Sequence, residues 1–156
     1  MSAVEIIEYA PEYKEHFKSL NLEWIERYFT VEDADRKSLD DPDRYILQKG
    51  GYVFFARDGE EIVGTCALIK HDSTTYELAK MGVTEKSRGR QIGKRLGLAV
   101  IEKARSVSAK SIFLETNDKL QPALALYRNL GFVMHYPLEP SKYQRANVFM
   151  RLDLSA

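Results

Sequence analysis

The chain has 156 residues, 44% apolar and 29% charged, and its 23 basic residues balance 23 acidic ones to a formal net charge of zero. That length sets a single domain, residues 1–156, with a core of its own, and the zero balance excludes a global field favouring nucleic acid or an anionic membrane. One cysteine, Cys66, excludes an intrachain disulfide and fits a reducing, cytoplasmic setting.

The N-terminus, Met-Ser-Ala-Val-Glu-Ile-Ile-Glu-Tyr, lacks the basic start and long apolar run of a signal peptide. No apolar stretch approaches the roughly 18–20 residues of a membrane span. His16, His71 and His135 are scattered without metal-ligand spacing, so no metal is expected.

Val4–Tyr9 reads as a first strand, and Pro11 fits the first position of a helix. Tyr13, Phe17, Leu20, Trp24 and Tyr28 fall at three-to-four spacing along that helix, which is an amphipathic face. Trp24, Tyr28 and Phe29 are either core aromatics or contacts to an acceptor. From Glu23 to Asp43 there are eight acids against three bases: a surface for a cationic amine, or an ordinary solvated helix face. Thr30 is placed to cap a short second helix, Asp41-Pro42 breaks it, and Tyr45–Leu47 makes a brief helical turn ended by Gly50-Gly51.

Tyr52–Arg57 and Glu61–Lys70 flank Asp58-Gly59, a strong hairpin signal. The turn Asp72–Thr75 leads to a third strand, Tyr76–Val83, completing an antiparallel meander. By period two, Glu77, Ala79, Met81 and Val83 share one face of it, and Gly82 in mid-strand suggests a bulge that opens the sheet. The chain then passes through Lys86–Arg95, which holds five bases and no acid, into a helix with apolar positions Ile92, Leu96, Val100 and Ala104. Strand, glycine-bearing turn and helix start make a phosphate site, because first-turn amides have no intrahelical acceptor and the helix dipole is positive there. Gly89 and Gly93 allow close backbone approach. Neither the Rossmann fingerprint nor the P-loop pattern is present.

Ser111–Thr116 is the next strand, parallel to the one before the helix. Asn117-Asp118 ends it, Pro122 opens a helix through Leu124, Tyr127 and Leu130, and Gly131 stops that helix. Phe132–His135 and Asn147–Asp153 are two closing strands joined by the loop Pro137–Arg145. Cys66 lies in an apolar run, where core packing is its role.

Arg88-Gly89-Arg90-Gln91-Ile92-Gly93 resembles the acyl-CoA-binding motif of the GCN5-related N-acetyltransferases, Gln/Arg-x-x-Gly-x-Gly/Ala, at its first and last positions; Gln91 stands where the family usually has glycine. Ala123-Leu-Ala-Leu-Tyr-Arg-Asn-Leu-Gly-Phe132 resembles the family's Ala-x-x-Leu-Tyr-x-x-x-Gly-Phe segment. The element order β-α-α-β-β-β-α-β-α-β-β agrees with the family along the chain. The resemblance implies an α/β (α+β) fold with a mixed central sheet, its site strand and the strand after the basic helix splaying apart to hold acetyl-CoA.

It further implies that Arg88, Gly89, Arg90, Gln91, Ile92, Gly93 and Lys94 hold the pyrophosphate. The amides of Met81, Gly82 and Val83 would bond the acetyl carbonyl and pantetheine and stabilise an oxyanion. Asn117 is either a pantetheine contact or an ordinary Asx turn. Tyr127 either protonates the leaving thiolate, a phenol being matched to that task, or only orients the cofactor. Glu77, eleven residues before Arg88, stands at the offset of the catalytic glutamate in the family's histone acetyltransferases. Its alternatives are a general base for the acceptor ammonium and an ion pair with Lys80 or Lys70.

The expected function is direct transfer of acetyl to a primary amine, a small molecule favoured over a peptide, entering between the acidic first helices and the loop Pro137–Arg145. Cys66 is expected away from both motifs, and no covalent enzyme intermediate is expected. The competing expectation is a catalytically silent acyl-CoA-binding regulatory or partner module. Homodimers are common in the family, and this sequence does not decide the oligomeric state.

Overall fold

The computed structural model describes residues 4–137 and 139–154. The extreme ends of the expected domain, with the leader reading of Met1–Ala3, and Leu138 within the Pro137–Arg145 loop lie outside the described residues.

β1 (Val4–Glu8), α1 (Lys14–Tyr28), α2 (Asp33–Asp40), β2 (Tyr52–Asp58), β3 (Glu61–Lys70), β4 (Thr75–Val83), α3 (Ile92–Ser106), β5 (Ser111–Thr116), α4 (Gln121–Asn129), β6 (Val133–Met134) and β7 (Val148–Asp153) follow the expected order. They form one seven-stranded sheet, β1-β2-β3-β4-β5-β7-β6, in which only β4–β5 is parallel. One face carries α3 and α4 over Val63, Cys66, Leu68, Leu78 and Ile112. The other carries α1 and α2 over Val53, Phe55, Ile62 and Ala67. Covered on both sides, β3 is buried almost continuously from Ile62 to Leu68, as a central strand must be.

Several expectations are corrected in detail. Pro11 opens a short 3₁₀ turn, Pro11–Tyr13, and α1 starts after it. The cap of α2 is Glu32, not Thr30: Glu32 and Asp35 exchange side-chain-to-backbone bonds as a capping box, which satisfies two amides where a lone threonine satisfies one.

The bulge in β4 is not at Gly82. Thr65 pairs with Gly82 and Ala67 with Ala79, so the single residue Cys66 faces both Lys80 and Met81, and Lys80 takes a left-handed φ of 55°. An extra residue flips the side-chain alternation. Tyr76 and Leu78 therefore face α3 before the bulge, and Met81 and Val83 after it. Glu77 does not share the face of Met81 and Val83; it faces the α1 side together with Lys80 and Gly82. Gly82 has a packing role, since a Cβ there would stand 2.8 Å from the Leu20 carbonyl oxygen and 3.2 Å from Trp24.

Candidate active site

β4 and β5 are bonded only through Thr75–Glu77 and Ser111–Phe113. Beyond that point the β4 bulge turns one strand while β5 stays paired with β7 as far as Thr116. The strands part, and a cleft of about 420 Å³ opens between them, lined by Leu78–Val83 on one side and Glu115–Asn117 on the other.

The start of α3 closes one end. The bond from the Arg95 amide to the Gln91 carbonyl, 3.1 Å, is its first intrahelical bond, which leaves the amides of Ile92, Gly93 and Lys94 without a helical acceptor. Gln91 holds a left-handed φ of 64° and Gly89 one of 83°. A positive φ at both positions explains why glycine suits the place Gln91 occupies. Arg88, Gly89, Gln91, Ile92, Gly93 and Lys94 all line the cleft.

The other bases of the turn are directed elsewhere. Arg90 bonds Asp58 at 2.7 Å, Lys86 pairs with Glu61, and Arg95 donates to the Val4 carbonyl at 2.6 Å. A Cβ at Gly93 would stand 3.1 Å from Leu126 of α4, so that glycine also sets how closely the two helices pack.

Tyr127 lies on the cleft wall, edge-on to Phe132 and 7% exposed. Burial, with a contribution from Cys66, pushes its phenol above the ordinary value; the hydroxyl therefore stays protonated and able to donate. Cys66 is thus not remote from the second motif. It remains inert, since it is fully buried, its thiol is pushed up by that burial, and it hydrogen-bonds carbonyls of Ala67 and Ala79. Asn117 lines the cleft and makes the Asx turn, accepting from the Lys119 amide at 2.8 Å and donating to the Arg145 carbonyl at 2.6 Å.

At the far end stand Trp24, Tyr28, Phe29, Glu77, Lys80, Glu115, Tyr143 and Arg145. Glu77 is paired with neither Lys80 nor Lys70; it accepts from His71 Nε2 at 2.9 Å. Lys80 instead reaches α2, 2.5 Å from Asp35 and 3.0 Å from the Tyr143 hydroxyl. Arg145 grips both oxygens of Asp35 at 2.6 Å, and its guanidinium lies 5.5, 5.9 and 4.6 Å from the rings of Trp24, Phe29 and Tyr143.

Burial pushes the Asp35 carboxyl up, but bonds from Arg145 and the charge of Lys80 overcome it and hold the pKa at about 2. At Lys80 the balance falls the other way, and burial outweighs Asp35 to lower the ammonium pKa. Glu115 accepts from Ser141; its carboxyl is pushed up by burial and then by the charge of Glu77.

Several acids of Glu23–Asp43 are engaged within the protein, Asp33 with Arg36, Asp40 with Lys18, Asp43 with Tyr9 and Asp35 as above. Among the described residues none of that segment's acids lines the cleft. Sequence reasoning named Lys80 only as a partner for Glu77 and Pro137–Arg145 only as a loop beside the acceptor, and it missed His71, Asp35 and Glu115 as parts of this end. The one local signal was Lys80, a lysine between Ala79 and Met81 in a strand that is otherwise largely apolar. Among the described residues no group of three His, Cys, Asp or Glu side chains is placed to hold a metal, and no helix is long and apolar enough to cross a membrane.

Comparison with known proteins gives the same outline. The acetyltransferase (GNAT) family matches residues 17–132. The uncharacterized N-acetyltransferase YjgM of Escherichia coli K12 is 33% identical over 108 residues, 67% of this chain and 62% of the relative, so the match spans about three fifths of that relative's length. A GNAT-family acetyltransferase structure from Staphylococcus aureus Mu50 superposes with a TM-score of 0.89 at 30% identity, covering 98% of this chain and 100% of that one. A GNAT-family acetyltransferase from Elizabethkingia anophelis with acetyl-CoA bound shares the fold, with a TM-score of 0.70 at 22% identity over 97% of this chain and 98% of that one.

Proposed function

The chain belongs to the acetyltransferase (GNAT) family, and from that membership we propose that it is an N-acetyltransferase. In this reading it moves acetyl from acetyl-CoA to a primary amine by direct attack in a ternary complex. The observation that carries the reading is the parted β4–β5 pair, which sets an anion-binding helix start, a protonated phenol and a buried carboxylate around one cleft.

Acetyl-CoA supplies the activated acyl group as a thioester and a thiolate leaving group. The free amides of Ile92–Lys94, with Arg88 and Lys94, hold its diphosphate. The amides of Met81–Val83 are offered to the acetyl oxygen, and Asn117 borders the pantetheine path. The acceptor nitrogen sheds two protons in all. One goes to Glu77 and then to solvent; the other restores Tyr127 after its phenol has protonated the thiolate. Cys66, inert in the core, takes no covalent part.

The acceptor is a small-molecule amine. Support comes from the loop residues Tyr143 and Arg145, which are tied to Lys80 and Asp35 beside the aromatic group Trp24, Tyr28 and Phe29 and narrow that end. We take residues 1–156 as one domain working in the cytoplasm, without metal, membrane or nucleic acid.

A second reading, a catalytically silent acyl-CoA-binding module, draws on Glu77, which is 4% exposed and held by His71. One assay separates the two: acetyl-CoA-dependent release of free thiol with spermidine, tyramine, kanamycin, L-lysine and a lysine-containing peptide. Turnover with a small amine supports the enzyme. Thermal stabilisation by acetyl-CoA with no thiol release from any of them supports the silent module.

A further inference from the structure

His71 lies in the turn between β3 and β4, outside both sequence motifs, and the turn is built rigidly. Asp72 Oδ1 accepts from the Thr74 amide at 2.8 Å, the Thr74 hydroxyl at 3.0 Å and the Thr75 amide at 2.8 Å. The His71 amide donates to the Thr75 carbonyl at 3.0 Å. The imidazole leans on Phe113 of β5, with ring centres 4.8 Å apart. Fixed this way, Nε2 stands 2.9 Å from Glu77 Oε1; the His71 side chain is 41% exposed and that of Glu77 only 5%. A carboxylate only accepts, so the ring nitrogen facing it is the donor.

Glu77 has a rival. Glu115, on the neighbouring strand, lines the same cleft and is close enough for the charges of Glu77 and His71 to act on it. Two carboxyls in one partly dry site do not ionise independently, so something must decide which is the base. Ser141 donates to Glu115 and the imidazole to Glu77. Of these two donors only the imidazole can carry positive charge, and it is seated on Glu77.

We propose that His71 is a positioning residue of the acetyl transfer: by donating to Oε1 of Glu77 it aims Oε2 into the cleft and assigns the proton-accepting role to Glu77 instead of Glu115. The inference rests on the acetyltransferase reading given above. As the acceptor's ammonium loses a proton, an N–H bond breaks and an O–H bond forms at Oε2. The freed nitrogen lone pair is then available to the thioester, and the proton leaves Glu77 for solvent. Among the described residues, the other charged or titratable groups around this pair include Asp72 on the turn, Lys80 on the same face of β4, Glu115 on β5, and Lys142 and Tyr143 on the loop before β7. Through Tyr143 the field of Asp35 and Arg145 reaches the same place.

The test compares wild type with His71→Leu, His71→Gln and Glu77→Gln. It uses acetyl-CoA with the fastest of spermidine, tyramine and kanamycin, and follows thiol release from pH 5.5 to 9. A glutamine amide can place an N–H near the Nε2 position. The expected result is a fall in kcat of about tenfold in His71→Leu, the low end for loss of a group that orients a working side chain, with KM for acetyl-CoA unchanged. His71→Gln regains most of the rate. Nitrogen-15 spectra of the wild-type imidazole supply a reading that needs no amine, with Nε2 expected to carry the proton at pH 7.5. Wild-type rates in His71→Leu beside a crippled Glu77→Gln, or an Nε2 without its proton, overturn the inference and leave the acetyltransferase reading intact. A Glu77→Gln variant as fast as wild type at every pH removes Glu77 as the base, and this inference with it.

Discussion

Asp35→Asn keeps the shape of a fully buried side chain and removes its charge. Lys80, with a side chain 3% exposed, then loses its counter-ion, and Arg145, with one 11% exposed, keeps among the described residues only Glu32 at 3.4 Å. Breaking one partner of a buried ionic cluster costs about 3–5 kcal/mol, because it strands the remaining charge. The capping-box bond to the Glu32 amide, 2.9 Å, adds up to about 1 kcal/mol if asparagine fails to replace it. At roughly 2–4 °C per kcal/mol for a chain of this size, the melting point falls by about 6–24 °C.

The loss depends on pH in two ways. In wild type the Asp35 pKa is depressed from 3.8 to about 2. Its contribution, about 2 kcal/mol, is present above the unfolded value and disappears as pH falls toward 2. In the variant, Lys80 loses the Asp35 charge that opposes burial, so its ammonium pKa falls further below the unfolded value and stability rises with pH more steeply than in wild type. Urea denaturation followed by far-ultraviolet circular dichroism at pH 3, pH 7 and pH 9 reads both. The expected deficit is several kcal/mol at pH 7, smaller at pH 9, and partly recovered by adding Lys80→Met. A deficit below 1 kcal/mol that does not change with pH refutes the buried cluster.

Gly82→Ala should cost about 1–3 kcal/mol in the same denaturation assay, since its Cβ would meet the Leu20 backbone oxygen at 2.8 Å and backbone yields less than a flexible side chain; unchanged stability would mean α1 does not press on β4. Arg88→Glu combined with Lys94→Glu should weaken acetyl-CoA binding at least tenfold, about 1.4 kcal/mol by calorimetry. Arg90→Ala, whose guanidinium is engaged by Asp58, should stay within twofold, and the reverse ranking would move the diphosphate elsewhere. Tyr127→Phe should lower kcat about a hundredfold at unchanged acetyl-CoA affinity. Because burial raises the phenol, wild-type activity should not fall between pH 8 and 9.5 through this residue; a variant of full activity would leave Tyr127 only an orienting role.

The elements were legible because each has its own local signal: the Asp58-Gly59 hairpin, the spacing of Ile92, Leu96, Val100 and Ala104, and Pro122 and Gly131 around α4. Both motifs fell on the cleft for the same reason. The face of Glu77 was not legible, because a bulge is one extra residue whose place depends on how β3 and β4 pair, and Gly82, the residue that looked like its cause, serves α1 instead. Asp35, Lys80 and Arg145 come from three segments with no shared pattern, so their cluster exists only once the chain is folded. Counting bases in Lys86–Arg95 overstated the anion site, since charge composition does not reveal that Asp58, Glu61 and the Val4 carbonyl stand across from three of them.

The central claim is that acetyl-CoA lies in the gap between β4 and β5 with its diphosphate on the start of α3. Titrating acetyl-CoA into nitrogen-15-labelled protein tests it most directly. The account predicts that the amides of Gln91–Lys94 and Met81–Val83 move first and furthest, in one saturable transition. Shifts confined to another surface, or no shift at millimolar acetyl-CoA, would contradict it.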